Sequence, residues 1–486
     1  MNNPFRHTKI IATIGPASQT SEKLAALMDA GTDLFRLNFS HGNHAEKAAV
    51  IREIRFLSRQ RRQAMAIVGD LQGPKIRVGQ IPGDTATLIP GQPVNLTTRQ
   101  DADEPPGNIP VVFPALPTVS APGDKILLDD GLLELEVVRI AGPKVECKVV
   151  TGGVLASRKG VNLPGAALSL PSITEKDWED ALFCIREGVD YLALSFVRQA
   201  SDIAKLRDFL SSNGADIPIL AKIEKPQAVD NFTEILHVAD GIMVARGDLG
   251  VEIGPEQVPL IQKRIIRKCR EAGKPVITAT QMLESMVSHP RPTRAETSDV
   301  ANAIIDGSDA VMLSGETAVG SYPVEAVSLM AGIARSVEGD PMLASRIFHY
   351  YPATTGPRSL SDAIGEAACR TAENIGAAAI LAFTQSGSTA ALVARNRPPI
   401  PIFAVTPSRA VRRRMALYSG VRSIQVDFQG STEAQIHSME ESVIEAGVLQ
   451  RGDLVVITMG SPVAAKGTTN LMKVHRLGTG PLYEIE

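Results

Sequence analysis

Two apolar runs that break into charge offer the clearest chemistry in this chain. Ile219-Leu220-Ala221 gives way to Lys222-Ile223-Glu224, and Ile242-Met243-Val244-Ala245 gives way to Arg246-Gly247-Asp248. A strand buried on both faces has no solvent reason to end in ionised groups. Parallel strands closed into a barrel, however, open their C-terminal ends onto one functional face. That arrangement would bring Lys222, Glu224 and Asp248 to one pocket; solvated loop charges are the alternative. Glu224 and Asp248 are hard oxygen ligands, and two carboxylates with positions left for water and substrate suit Mg²⁺ or Mn²⁺. Lys222 lies two residues from Glu224 and so shares its face of a strand. An ammonium there could stabilise a transferring phosphoryl group, or it could simply pair with Glu224 or Asp248.

Other residues extend the set. Arg36 could clamp the same anion. Gly247, in Arg246-Gly-Asp-Leu-Gly250, would let backbone N–H groups of a turn before a helix approach it. Thr280, at the end of the apolar run from Pro275, could donate to a substrate oxygen. Asn38, Ser40 and Asp70 make a neutral-plus-one-acid oxygen cluster suited to a weakly charged cation. Lys75 follows closely and could supply such a charge covalently. Near the C-terminus, Thr384-Gln-Ser386-Gly387-Ser388-Thr389 joins a strand to a helix. It reads as a phosphate site at a helix N-terminus or as a capped turn. Gly460 to Thr469 echoes a phosphate-binding loop but lacks its second glycine and terminal hydroxyl.

The elements that must position these groups follow a βα rhythm. Apolar runs at Thr8–Ile14, Asp33–Phe39, Ala64–Gly69, Tyr191–Val197, from Ile219, from Ile242, Pro275–Thr280 and Asp309–Leu313 alternate with helical patterns. Eight such units predict a (β/α)₈ barrel, with an open doubly wound sheet as the alternative. The barrel would use residues 1–72 and 172–345. From 73 to 171 the rhythm breaks into Pro-Gly punctuation and short alternating runs, which predict an inserted all-β domain hinged at Pro74 and near Pro171. Residues 346–486 read as a doubly wound α/β domain, with runs at Ala378–Phe383, Ile400–Val405, Ile424–Phe428 and Leu454–Met459.

Composition narrows the class. With 486 residues the chain has room for several cores. A net charge of −3 and few aromatics argue against nucleic-acid binding. Arg59 to Arg62 and Arg412 to Arg414 read as solvated helix faces. Four scattered cysteines suggest neither disulfides nor zinc, and a reducing compartment. The expectation is a cytoplasmic protein with no membrane segment and no secretory leader.

Taken together, these motifs resemble pyruvate kinase over essentially the whole chain. The resemblance rests on Arg36-Leu-Asn-Phe-Ser-His-Gly42, Gly69-Asp-Leu-Gln-Gly-Pro-Lys-Ile-Arg77, Lys159-Gly-Val-Asn-Leu-Pro-Gly165, Ala221-Lys-Ile-Glu-Lys225, Gly241 to Gly250, Ala279 to Met286, Arg291 to Glu296 and Met312 to Thr317. It implies phosphoryl transfer from phosphoenolpyruvate to ADP, giving pyruvate and ATP. It implies a divalent metal on Glu224 and Asp248, and Lys222 as stabiliser of the transferring group. Arg36, Gly247, Asp248 and Thr280 would contact substrate, and Thr280 would help protonate the enolate. Asn38, Ser40, His41, Arg77 and Lys159 would lie at the nucleotide, the last on a closing lid. Asn38, Ser40, Asp70 and the Leu71 carbonyl match the family's monovalent site. Where many members have Glu, this chain has Lys75, a change that goes with independence of K⁺. The resemblance also implies a homotetramer and an allosteric effector on Thr384, Ser386, Gly387, Ser388 and Thr389. A loop without lysine disfavours fructose 1,6-bisphosphate, so a sugar monophosphate or AMP is expected. A lyase on a similar barrel and a silent sugar-phosphate sensor are the competing readings.

Overall fold

The computed structural model describes residues 5–98, 108–165, 171–349, 359–463 and 468–478. Eight parallel strands close on themselves: β1 (Lys9–Ile14), β2 (Leu34–Asn38), β3 (Ala66–Asp70), β4 (Tyr191–Leu194), β5 (Ile219–Ile223), β6 (Gly241–Ala245), β7 (Val276–Ala279) and β8 (Ala310–Leu313). Each pairs with its sequence neighbours, and β8 pairs with β1. Closure excludes the open-sheet alternative. The period-2 alternation of a strand sorts the side chains. Ile11, Leu34, Val68, Tyr191, Leu220, Met243 and Ile277 fill the barrel, while Ile10, Phe35, Ile67, Leu192, Ile219 and Val244 pack outward against helices. Lys222 continues the inward row of Leu220, which aims it along the barrel axis toward the mouth.

Several helices start where the sequence supplies caps. Thr20 caps Ser21–Ala30 through the Lys23 N–H, and Thr174 with Asp177 forms a reciprocal capping box on Glu175–Glu187. Two strands are shorter than their apolar runs. β4 stops at Leu194 because Phe196 turns left-handed, with φ of 55°, and β7 stops at Ala279 because Thr280 does so, with φ of 67°.

The described residues of the insertion are mainly β, with one short helix at Leu116–Val119, and form their own core around Leu96, Ile126, Leu135 and Val145. A six-stranded, mainly antiparallel sheet is accompanied by the pair Thr85–Leu88 and Gly153–Ala156. The C-terminal sheet runs in the order Val421–Gln425, Ile402–Thr406, Ala379–Phe383, Leu454–Met459 and Leu471–Arg476, the last antiparallel to its neighbour. The expected strand at Ile424–Phe428 therefore lies three residues earlier. It is an edge strand, so its polar residues face solvent and the apolar signal is weak. Leu471–Arg476 was not expected as a strand, for the same reason.

The arginines at 412–414 are not a solvated face. The short helix Arg409–Arg414 and the turn Met415–Leu417 close the bottom of the barrel, where Ala416, Leu417 and Tyr418 join the interior cluster. Tyr191 donates to the Arg414 carbonyl at 2.7 Å, and Arg414 itself donates to the Asp216 carbonyl. Buried Asp190, at the foot of β4, accepts from Arg413 Nε at 2.6 Å, from Arg55 Nη2 at 2.7 Å and from the Ile67 N–H at 2.8 Å. Arg59 to Arg62 conform better to the expectation, with Arg61 pairing with Asp29 on the surface. Asp190→Asn should cost roughly 3–5 kcal/mol, because it leaves two guanidinium groups without their counter-charge. Denaturant melts of the full chain test this; a loss below about 1 kcal/mol would refute the anchoring role.

All four cysteines are buried and free. Among the described residues, no helix is long and apolar enough to cross a membrane.

Candidate active site

The C-terminal ends of the barrel strands and the β insertion enclose a cavity of about 480 Å³. Arg36, Asn38, Ser40, His41, Asp70, Leu71, Lys75, Arg77, Lys159, Lys222, Glu224 and Asp248 all line it. The fold thus gathers residues from four strand ends and the insertion that are up to 212 positions apart in sequence (Arg36 to Asp248).

Lys222 is the centre of a buried charge network. Its Nζ lies 2.8 Å from Ser195 Oγ, 2.9 Å from Glu224 Oε1 and 3.2 Å from Asp70 Oδ1. Burial alone would strip its proton, but the carboxylates of Asp70 and Glu224 outweigh that and hold the ammonium charged. Asp70 also accepts from Arg36 Nε at 2.6 Å. Burial pushes its carboxyl toward protonation, yet the combined charge of Arg36 and Lys222 keeps it below the ordinary range. Arg36 is steadied further by Thr13 Oγ1 at 3.1 Å.

Glu224 behaves differently. Burial and the neighbouring Asp248 carboxylate raise its proton affinity, and Lys222 and the Phe196 N–H, 2.8 Å from Oε2, offset this only in part. Asp248 stands in the first turn of the helix Arg246–Ile253. The segment expected to be a glycine-rich turn before a helix is therefore already helical. Two hard carboxylates, one driven toward protonation by burial and by the other, are a pair that a divalent cation would relieve. The donor set fits Mg²⁺ or Mn²⁺ completed by other oxygens. Among the described residues, no group of three or more His, Cys, Asp or Glu side chains could hold a metal by itself.

Gly247 and Thr280 meet each other at the rim between β6 and β7. The Gly247 N–H donates to Thr280 Oγ1 at 2.8 Å, and that hydroxyl donates to the Ala279 carbonyl at 2.6 Å. A Cβ on Gly247 would touch nothing closer than Thr280 Oγ1 at 3.6 Å, so the protein itself does not need the glycine there.

On the other side of the cavity, Asn38 Oδ1 accepts from the Ser40 N–H at 3.0 Å, and Arg77 donates to the Arg158 carbonyl at 3.0 Å. Burial lowers the proton affinity of His41, as do the positive charges of Arg77, Lys47, Arg36 and Lys75. Lys159 pairs with Asp129 at 2.8 Å. Lys75 reaches into the same cavity, but its ammonium faces Asp248 and Asp130, each at 3.5 Å, rather than Asn38, Ser40 or Asp70.

Four contributors carry no signal in the sequence that singles them out. Ser195 and the Phe196 N–H belong to a strand end that lacks charge, so the apolar-to-ionic break that marks β5 and β6 is missing there. Asp129 and Asp130 sit in a hairpin turn, where aspartate ordinarily reports turn formation. The C-terminal loop is assembled as one turn, with Gly387 (φ 98°) as the N-cap of Ser388–Arg395. Thr384 accepts from the Gly387 N–H at 2.8 Å and Thr389 meets Thr469 at 3.0 Å, whereas Ser386 and Ser388 are exposed. Residues 464–467 of the loop that echoes a phosphate-binding motif lie outside the described residues.

A closed parallel barrel with a charged mouth under a β insertion, followed by an α/β unit, defines a phosphate-handling barrel enzyme. The family model described as "Pyruvate kinase, barrel domain" matches residues 5–327, and that described as "Pyruvate kinase, alpha/beta domain" matches 362–475. The chain is 48% identical over 474 residues to the pyruvate kinase of Geobacillus stearothermophilus, a match covering 97% of this chain and 80% of that protein. It is 47% identical over 480 residues to the pyruvate kinase of Sporosarcina psychrophila, covering 98% and 81%. A crystal structure of a pyruvate kinase from Cryptosporidium parvum superposes with a TM-score of 0.87 at 37% identity, covering 97% of this chain and 96% of the other. The chain belongs to the pyruvate kinase family. It is a phosphotransferase.

Proposed function

We propose that the chain transfers the phosphoryl group of phosphoenolpyruvate to ADP, yielding pyruvate and ATP as a cytoplasmic glycolytic step. The observation that carries this reading is the buried Lys222 ammonium, held charged by Asp70 and Glu224 at the inner wall of the cavity. A fixed cation in a site with little water is placed to offset charge on a phosphoryl group in flight. Arg36 would bind the same phosphoryl oxygens from the opposite strand. Glu224 and Asp248 would hold Mg²⁺ or Mn²⁺, which when bound neutralises phosphate and carboxylate oxygens and fixes their orientation. Gly247 and Thr280 would meet the substrate at the rim, with the Thr280 hydroxyl handling the proton that converts enolate to pyruvate. Asn38, Ser40, His41, Arg77 and Lys159 would receive the nucleotide, and the β insertion would exclude water by closing over it.

The monovalent position formed by Asn38, Ser40, Asp70 and the Leu71 carbonyl is proposed to need no K⁺, with the Lys75 ammonium supplying the positive charge to the shared cavity from its place beside Asp248 and Asp130 rather than by occupying the position itself. Turnover should be equal with K⁺ and with K⁺ replaced by a bulky organic cation, and Lys75→Glu should restore a requirement for K⁺. Turnover by the unaltered chain only with K⁺ would keep the kinase and reject the Lys75 role. No ATP formation in either buffer, with sugar phosphates added, would favour a lyase or a sensor. A homotetramer and a phosphorylated effector on the Thr384–Thr389 turn complete the proposal.

A further inference from the structure

Thr280 occupies a conformation that its own side chain opposes. A β-branched residue at φ 67° is rare, and the next residue, Gln281, is also left-handed at φ 54°. Two such residues in succession persist only where their surroundings over-determine them. Here the constraint comes from one guanidinium. Arg246 donates through Nη2 to the Thr280 carbonyl at 2.7 Å and the Gln281 carbonyl at 3.3 Å, and through Nε to the Ala279 and Thr280 carbonyls at 3.2 and 3.3 Å. Its Nη2 also lies 2.8 Å from Met282 Sδ. The third corner, Nη1, is anchored by Asp299 at 2.7 Å and Gln262 at 3.4 Å. Arg246 immediately precedes Gly247, whose N–H donates to Thr280 Oγ1. One residue therefore grips the backbone of the turn while its neighbour grips the hydroxyl.

We infer that Arg246 is a positioning residue for Thr280, fixing the left-handed turn so that the hydroxyl faces the reacting carbon of the substrate. This rests on the role proposed for Thr280 and assigns Arg246 no contact with substrate. The planar fork of arginine suits the task, since it presents several donors at fixed angles to consecutive carbonyls. Lysine would supply one centre and no such geometry. Displacement of a catalytic group by about 1 Å can cost on the order of 100-fold in rate.

The experiment is a double-mutant cycle on the full chain, with Arg246→Met, Thr280→Val and the combined variant. Turnover is measured together with exchange of the methyl protons of pyruvate into D₂O, which reads proton handling apart from phosphoryl transfer. R246M should lower both rates about 30- to 100-fold, with KM for phosphoenolpyruvate within about threefold. In the T280V background it should cost less than about threefold more, because the hydroxyl it positions is gone. R246K should recover little, and D299N, which loosens the anchor while leaving the fork, should fall between R246M and the unaltered chain. If R246M fails to fold, R246K and D299N carry the same comparison. R246M within threefold of the unaltered chain, alongside an impaired T280V, overturns the positioning role alone. Losses that multiply in the double variant overturn it too, since Arg246 would then act independently. An unimpaired T280V overturns the reading of Thr280 and the inference with it.

Discussion

Replacing Lys222 with methionine should lower kcat by about 1,000-fold or more while KM for phosphoenolpyruvate changes by less than about tenfold. Methionine keeps the unbranched apolar stem of lysine and lacks only the terminal ammonium, so the inward row of β5 stays filled. What disappears is a charge that cannot be replaced by solvent, because the Nζ lies in a pocket shared with Ser195, Asp70 and Glu224. Single preorganised donors in comparable sites contribute about 100- to 1,000-fold, and a full charge on a transferring phosphoryl group contributes more. The structure adds a second expectation. Removing the ammonium leaves Glu224 beside Asp248 with one fewer cation to oppose burial, so its proton affinity should rise further. The acid limb of divalent-metal binding should therefore move to higher pH. Steady-state kinetics and metal titration separate the two effects. Near-normal turnover would reject the catalytic role, and unchanged metal binding across pH would reject the electrostatic coupling.

The second large effect is expected at Glu224. Glu224→Gln retains an oxygen able to accept from the Phe196 N–H, so the local turn should survive. It removes a charge from a pair proposed to hold the metal. The Mg²⁺ or Mn²⁺ concentration for half-activation should rise at least about 100-fold, the upper end of what a merely supporting residue contributes. The pH dependence discriminates further. Burial and Asp248 raise the proton affinity of Glu224, so protons compete with the cation as pH falls. In the unaltered chain, added metal should push the acid limb of activity to lower pH. In E224Q that displacement should shrink, because the competing carboxyl is gone. A half-activating concentration within about threefold of the unaltered chain would reject Glu224 as a ligand.

Both effects depend on neighbours whose visibility in the sequence differs. Lys222, Glu224 and Asp248 could be read because each interrupts an apolar run, and a charge in a buried strand requires a reason. Arg36 and Asp70 were legible on the same ground. Their pairing at 2.6 Å was not, because it depends on β2 and β3 lying side by side with Asn38 opposite Asp70. Ser195 carries no charge and gave no interruption, although it touches both Lys222 and the Leu71 carbonyl. The arginines at 412–414 look from sequence like a solvated face, because charge density alone does not say what lies opposite. Only the closed barrel, with Asp190 at its foot and an open end to plug, turns them inward.

Periodicity and strand-end charge were enough, by themselves, to determine the eight βα units, the interrupting β domain and the strand ends that bear chemistry, while closure of those units into a barrel rather than an open sheet was decided by the tertiary structure. These signals are local: a period of two, a Pro-Gly turn or an ion following a buried run each reports its own segment. Tertiary structure alone decided the direction of each charge. It joined Lys222 to Asp70 across the barrel, set Lys75 between Asp248 and Asp130, and bent Thr280 into a left-handed turn under Arg246. Those outcomes depend on register, closure and burial, which are properties of several segments at once. No stretch of sequence contains them, because the field at each group is made by residues distant in the chain.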